Sequence, residues 1–163
     1  MFRPFAEWLA TTPLSVAFQN ALWLVPTSQS IHILALAAVF TAAVMINLRV
    51  LGIGGRGNDG RSRSLPQLIA TLVPWIWRGL VVLLITGTVQ TITEPVRQFV
   101  APVFWVKMTL IVAMAIWTAW LSRSSGRPGL RPGMRLGALI STAAWVSIIV
   151  CGRMIGYTYA NHL

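Results

Sequence analysis

Four ionisable side chains interrupt the long apolar stretches of this sequence, and these side chains are the best candidates for chemistry. They are His32, Arg78, Lys107 and Arg153. The chain has only three acids, Glu7, Asp59 and Glu94, and none of them lies within those stretches. A histidine and three cations without a carboxylate have two interpretations. Either the long Lys and Arg side chains reach the headgroups, which suits Lys107 and Arg153 better than Arg78, or a bound anion supplies the missing charge. Haem propionate, lipid phosphate and an anionic substrate all meet that description.

Two kinds of metal chemistry fit these residues. Haem iron takes histidine or methionine as axial ligands, so His32 is the first candidate ligand, with Met108 or Met154 as the second. Copper(I) prefers soft donors, and Cys151 and Met154 are three residues apart on one predicted helix. Haem b is therefore the leading cofactor prediction, and copper is the alternative.

The composition indicates that these residues lie in a membrane protein. Of the 163 residues, 56% are hydrophobic and only 10% are charged, whereas soluble domains carry about 25% charged residues. So few charges cannot cover a water-facing surface, which excludes a soluble enzyme and a nucleic-acid-binding module. The sequence predicts a single polytopic membrane domain over residues 1–163.

Charge-free stretches locate four membrane spans, because a spanning helix needs about 20 mostly apolar residues. We predict helices near residues 28–51, 66–88, 103–122 and 134–157. Within residues 1–27, the apolar stretch from Leu14 to Val25 is too short to span and predicts an interfacial helix. The predicted fold is an all-α integral membrane protein, a bundle of four transmembrane helices with an N-terminal interfacial helix.

Two arginine-rich loops predict the orientation of these spans. The first loop holds Arg49, Arg56, Arg61 and Arg63, and the second holds Arg123, Arg127, Arg131 and Arg135. Short basic loops face the cytoplasm, so both loops are expected on the inner side of a bacterial inner membrane. Both termini then lie on the outer, periplasmic side. This arrangement accounts for most of the net charge of +10 without a nucleic-acid partner.

The heights of the four ionisable residues follow from counting along the predicted helices. At about 1.5 Å per residue, His32, Arg78, Lys107 and Arg153 lie roughly 22 to 27 Å above the arginine boundaries of their helices. The count predicts that one ionisable residue from each helix reaches a common plane in the outer leaflet, where a single anion could contact several of them.

Several stretches also resemble known sequences. They are residues 30–36 (SIHILAL), 46–52 (INLRVLG), 72–79 (LVPWIWRG), 104–110 (FWVKMTL) and 152–157 (GRMIGY). In that order they resemble an uncharacterised family of small bacterial four-helix membrane proteins, which usually has aspartate at the position of Asn47. More distantly, the chain is similar to copper-resistance D proteins and HemJ-type protoporphyrinogen oxidases. The latter resemblance implies a b-type haem held by His32, with Lys107 also required.

The expected function is a small membrane component that binds haem b and serves electron transfer, as a subunit of a larger membrane complex. No catalytic residue is predicted, so the chain is not expected to be an enzyme by itself. One alternative is a copper-handling membrane protein. Another is a non-catalytic accessory subunit whose plane of cations binds membrane lipid.

Overall fold

The computed structural model describes residues 2–53, 64–124 and 133–160, with side chains as far as Ile155. In these ranges the chain is helical and contains no strand. The elements in chain order are α1 (Arg3–Ala10), α2 (Pro13–Asn20), α3 (Leu24–Val50), α4 (Leu65–Thr93), α5 (Pro95–Val100), α6 (Pro102–Ser124) and α7 (Met134–Ala160). Helices α3, α4, α6 and α7 are long and apolar enough to cross a membrane. The predicted fold class is confirmed, and the chain is a multi-pass membrane protein.

The N-terminal segment forms two short helices, where the sequence predicted one. Helix α2 begins at Pro13 and is capped by Thr12, whose side-chain oxygen accepts a hydrogen bond from the Ser15 backbone N–H at 3.4 Å. The first span begins at Leu24, earlier than predicted, with Pro26 in its first turn. Proline is tolerated there because the first N–H groups of a helix have no partner within it.

Helix α4 continues five residues beyond its predicted end at residue 88. Its last turns are rich in threonine, but the hydroxyls of Thr88, Thr91 and Thr93 each donate to the carbonyl four residues earlier in the same helix. Because each hydroxyl has a hydrogen-bond acceptor within the helix, the threonines do not interrupt it. The following segment, predicted as a loop over 89–102, contains α5.

Helix α3 ends in a turn centred on Gly52, which has a φ of 85°. The Ile53 N–H donates to the Leu48 carbonyl and the Gly52 N–H to the Arg49 carbonyl, at 2.9 and 3.1 Å. Glycine adopts this left-handed conformation without steric cost, so the turn stops the helix cleanly. Of the arginines in the two basic loops, Arg56, Arg61, Arg63, Arg127 and Arg131 lie outside the described residues.

The four spans pack as two antiparallel pairs, α3 with α4 and α6 with α7, and α7 also packs against α3. The Val39 side chain fits over Gly79, and the Trp117 ring fits over Gly137. Asn47, which is 3% exposed, links α3 to α7. Its side-chain amide donates to the hydroxyls of Ser141 and Thr142 at 3.2 and 3.0 Å. We call this tightly packed part, which contains the two glycine contacts and the Asn47 bonds, the closed half of the bundle.

Candidate functional site

The two helix pairs separate in the opposite half of the bundle and leave a cavity of about 400 Å³ between them. We call this part the open half. The walls are mainly leucine, isoleucine and aromatic side chains, among them Leu36, Leu80, Leu83, Ile111, Trp145 and Ile148. Small-molecule sites are typically apolar cavities of about 300 to 1,000 Å³ with a few polar groups, and this cavity meets that description.

The short helices cover the cavity. Phe5 of α1 and Phe99 of α5 line it, with their ring centroids 5.6 Å apart and their planes nearly perpendicular. Phe99 also contacts Phe104 of α6 edge-on at 5.6 Å. Helix α2 is held to the end of α4 by the buried Ser15 hydroxyl, which donates to the Ile92 carbonyl at 2.7 Å. The N-terminal helices and α5 therefore form an aromatic cover over an apolar space.

His32 of α3 lines this cavity and is held by Thr86 of α4, with 2.7 Å between Nδ1 and the threonine Oγ1. The Thr86 hydroxyl has one hydrogen, which it donates to the Val82 carbonyl at 2.7 Å. With the hydrogen donated there, Thr86 accepts from His32, and in that tautomer Nδ1 carries the proton and Nε2 the lone pair. No other residue in the described ranges bonds to the ring. The imidazole is fixed by one nitrogen and has the other available to a ligand.

Lys107 of α6 and Gln90 of α4 add donors to the same cavity. A Cβ built on Gly152 would lie 3.7 Å from the Lys107 Nζ, so the ammonium group approaches the α7 backbone. The Gln90 side-chain nitrogen is buried without a hydrogen-bond partner among the described residues. A cation and an unpartnered amide in an apolar cavity favour a ligand with acceptor oxygens.

The structure brings one of the two candidate methionines to His32. Met108 lines the cavity, whereas Met154 is 48% exposed and does not line it. Cys151 is half-buried and forms no disulfide. No group of three or more histidine, cysteine or acidic side chains suited to a metal ion occurs in the part of the chain that the structure describes.

Arg78 lies apart from the cavity, contrary to the predicted common plane. Its side chain is exposed, and its guanidinium carbon is 5.3 Å from the centre of the Trp75 ring. His32 pairs with Thr86 across α3 and α4, and Arg78 is eight residues from Thr86, which is about 12 Å along the helix. The predicted heights were wrong because they were counted from Arg49 on α3 and from Arg63 before α4, as if these two arginines lay at the same depth in the membrane. The same pairing of α3 with α4 places Arg49 level with Ile69.

Arg153 follows Gly152 on α7, so its backbone is near the height of the Lys107 ammonium group. Its side chain is exposed and does not line the cavity. Of the predicted site residues, the structure therefore brings together His32, Lys107 and Met108. Arg78, Arg153 and Met154 are directed elsewhere.

Sequence reasoning missed Gln90, which lines the cavity, and Thr86, which holds the His32 ring. The available signal was their spacing, because residues four apart lie on one face of a helix. Both also lie in the stretch after Ile85 where threonine and glutamine replace the apolar residues of the span.

No protein-family description, curated protein or solved structure matches this chain. The resemblance to small bacterial four-helix proteins therefore stays a prediction.

Proposed function

We propose that this chain binds b-type haem in the cavity of the open half and serves electron transfer in the membrane. The observation that carries the proposal is the His32 ring, which lines an apolar cavity and is held at Nδ1 by Thr86, so that Nε2 makes no bond to the described residues. Metal-ligating histidines almost always donate their other ring N–H to a fixed partner, which sets the tautomer and the ring orientation. Haem iron commonly takes this kind of ligand.

The other residues of the cavity fit the same group. The Lys107 ammonium and the unpartnered Gln90 amide are donors for propionate carboxylates, and Met108 offers a thioether as a second ligand. Bound haem would supply a one-electron carrier whose potential depends on its ligands and surroundings. The chain's own contribution is to hold the imidazole, to bind the carboxylates and to exclude water with the aromatic cover.

An absorption spectrum of the protein, purified in detergent from haem-replete cells, tests this proposal. We expect a Soret band, and α and β bands on reduction. His32→Ala should remove these bands, whereas Arg78→Gln should keep them because Arg78 lies outside the cavity. A colourless protein with stoichiometric copper would favour the copper-handling alternative. A protein with neither cofactor, but with tightly bound phospholipid, would favour the accessory role.

We also propose the bacterial inner membrane as the location, with both termini on the periplasmic side. The support is the positive-inside rule applied to the two arginine-rich loops. Topology reporters fused after Arg127 and after Leu163 test it. The reporter after Arg127 should lie in the cytoplasm and the one after Leu163 in the periplasm. The reverse pattern would show that the chain has the opposite orientation.

A further inference from the structure

The middle of α4 carries an exposed cation. Arg78 is 13 residues from Leu65 and 15 from Thr93, so it lies roughly 20 Å from one helix end and roughly 22 Å from the other. The pairing of α3 with α4 places it level with Phe40, midway along the charge-free stretch Ile33–Leu48 of α3. Two neighbouring spans thus put Arg78 near the centre of the membrane.

Nothing in the described part of the chain neutralises this charge. Among the described residues, Arg78 contacts the Trp75 ring, and its guanidinium forms neither a hydrogen bond nor an ion pair with any of them. An extended arginine reaches roughly 7 Å from its Cα, whereas the headgroups are about 15 Å from the membrane centre. Arginine at the centre of a span costs about 2.5 to 3.5 kcal/mol on the insertion scale.

A second copy of the chain cannot supply the countercharge. The three acids of the sequence all lie outside the spans. Glu7 pairs with Arg3 at 2.9 Å, and Glu94, beyond the end of α4, pairs with Arg97. Asp59 lies between the first two spans in the sequence. A dimer formed through this face would bring two arginines together without an acid.

The residues around Arg78 form a face suited to helix packing. Trp75, Val81 and Ile85 are 62%, 54% and 59% exposed and lie at positions −3, +3 and +7 from Arg78. This spacing places all four on one side of α4. We call Trp75, Arg78, Val81 and Ile85 the Arg78 face.

We infer that the Arg78 face binds a transmembrane helix of a different protein that carries a carboxylate near its middle. An acid there would neutralise Arg78, and charged residues within spans commonly pair with one another. The apolar side chains on either side would pack against the partner helix. Such a partner would be a further subunit of the larger membrane complex that the sequence predicts. It rests on the outward surface of α4 and is independent of what the cavity binds.

A designed peptide tests the inference directly. The full-length protein, labelled with a fluorescent acceptor, is reconstituted in phosphatidylcholine vesicles with a donor-labelled leucine–alanine helix of about 23 residues. One peptide carries a central aspartate and its matched control a central asparagine. Energy transfer should show at least about tenfold tighter binding of the aspartate peptide. Arg78→Leu should abolish this preference, and Arg78→Lys should retain much of it.

Arg153→Gln is the matched control, since it removes an exposed cation from another span, and it should keep the aspartate preference. Equal binding of the two peptides to the natural protein, or an undiminished preference in Arg78→Leu, would overturn the inference. Self-association of the natural protein that Arg78→Leu abolishes would also overturn it and assign the face to a second copy. The haem spectrum of each variant is recorded separately, so failure here is distinct from failure of the cofactor proposal.

Discussion

On α4 and on α7, a glycine in the closed half and a glycine in the open half have opposite surroundings. On α4, a Cβ added at Gly79 would overlap the Val39 side chain, whereas one added at Gly87 would lie 3.7 Å from the His32 ring. On α7, a Cβ at Gly137 would overlap the Trp117 ring, whereas one at Gly152 would lie 3.7 Å from the Lys107 ammonium. Glycine permits close packing in the closed half and borders the ionisable groups in the open half.

The difference indicates how a chain of this size keeps a cavity inside a membrane. Lipid tails are as apolar as the helices, so association depends on close packing and on bonds between helices rather than on the hydrophobic effect. The closed half supplies both, through its two glycine contacts and the bonds of Asn47. The helix pairs can then separate in the open half, because the closed half holds them together.

The largest expected effect comes from filling these glycines. Gly79→Ala and Gly137→Ala should each lower the free energy of unfolding by about 1 to 3 kcal/mol, because the added methyl overlaps a packed side chain. Gly87→Ala and Gly152→Ala should be neutral or slightly stabilising, since alanine has the better helix propensity and the nearest atom is at ordinary contact distance. Unfolding in mixed micelles with increasing dodecyl sulfate measures all four. Equal losses in both halves would remove the distinction between them.

The second prediction concerns the threonine that holds the histidine. Thr86→Val removes the acceptor of His32 Nδ1 while keeping a side chain of the same shape. Under the haem proposal, affinity should fall roughly 10- to 100-fold, the usual cost of losing a residue that orients a metal ligand. Haem titration of the apoprotein measures it.

Thr71→Val is the matched control for this prediction. Thr71 is an exposed threonine of the same helix whose hydroxyl donates to the Gln67 carbonyl. It should leave haem affinity unchanged. An equal drop in both variants would indicate a general effect on α4 rather than the loss of ligand orientation.

The sequence predicted the four spans because the membrane imposes a strong rule on them. Apolar runs bounded by Arg49, Lys107, Arg123 and Arg135 locate the helices to within a few residues. The short helices α1 and α5 were missed, because they are held by aromatic contacts between distant segments, such as Phe5 with Phe99. Contacts of that kind leave no periodic signal in a sequence.

The site was predicted in part for a similar reason. His32 and Lys107 stand out as ionisable residues in apolar runs, and they do line one cavity. Arg78 stands out equally in the sequence. Its height in the membrane and the direction of its side chain depend on how α3 and α4 are offset, and the sequence of the loop between them does not give that offset. Its exposed position is also what distinguishes it from Lys107. An ionisable residue in an apolar run therefore marks two different features here, the wall of the cavity at Lys107 and the outward face of α4 at Arg78.

The smallest expected effect lies in the cover of the open half. Ser15 is fully buried, donates to the Ile92 carbonyl at 2.7 Å and accepts from the Gln19 amide at 2.9 Å. Ser15→Ala leaves both groups without this partner, which should cost about 1 kcal/mol. The cost falls on the attachment of α2 to α4, so local opening of the cover should become roughly fivefold more frequent.

Hydrogen exchange measured by mass spectrometry distinguishes local from global opening. In Ser15→Ala, amides of α1 and α2 should exchange faster, while those of α3 around Val39 should keep their rate, because the closed half does not depend on the cover. Ser30→Ala is the matched control, since its exposed hydroxyl donates to the Pro26 carbonyl within α3, and it should leave the cover unchanged. Faster exchange in both halves of Ser15→Ala would show that the cover and the closed half open as one unit.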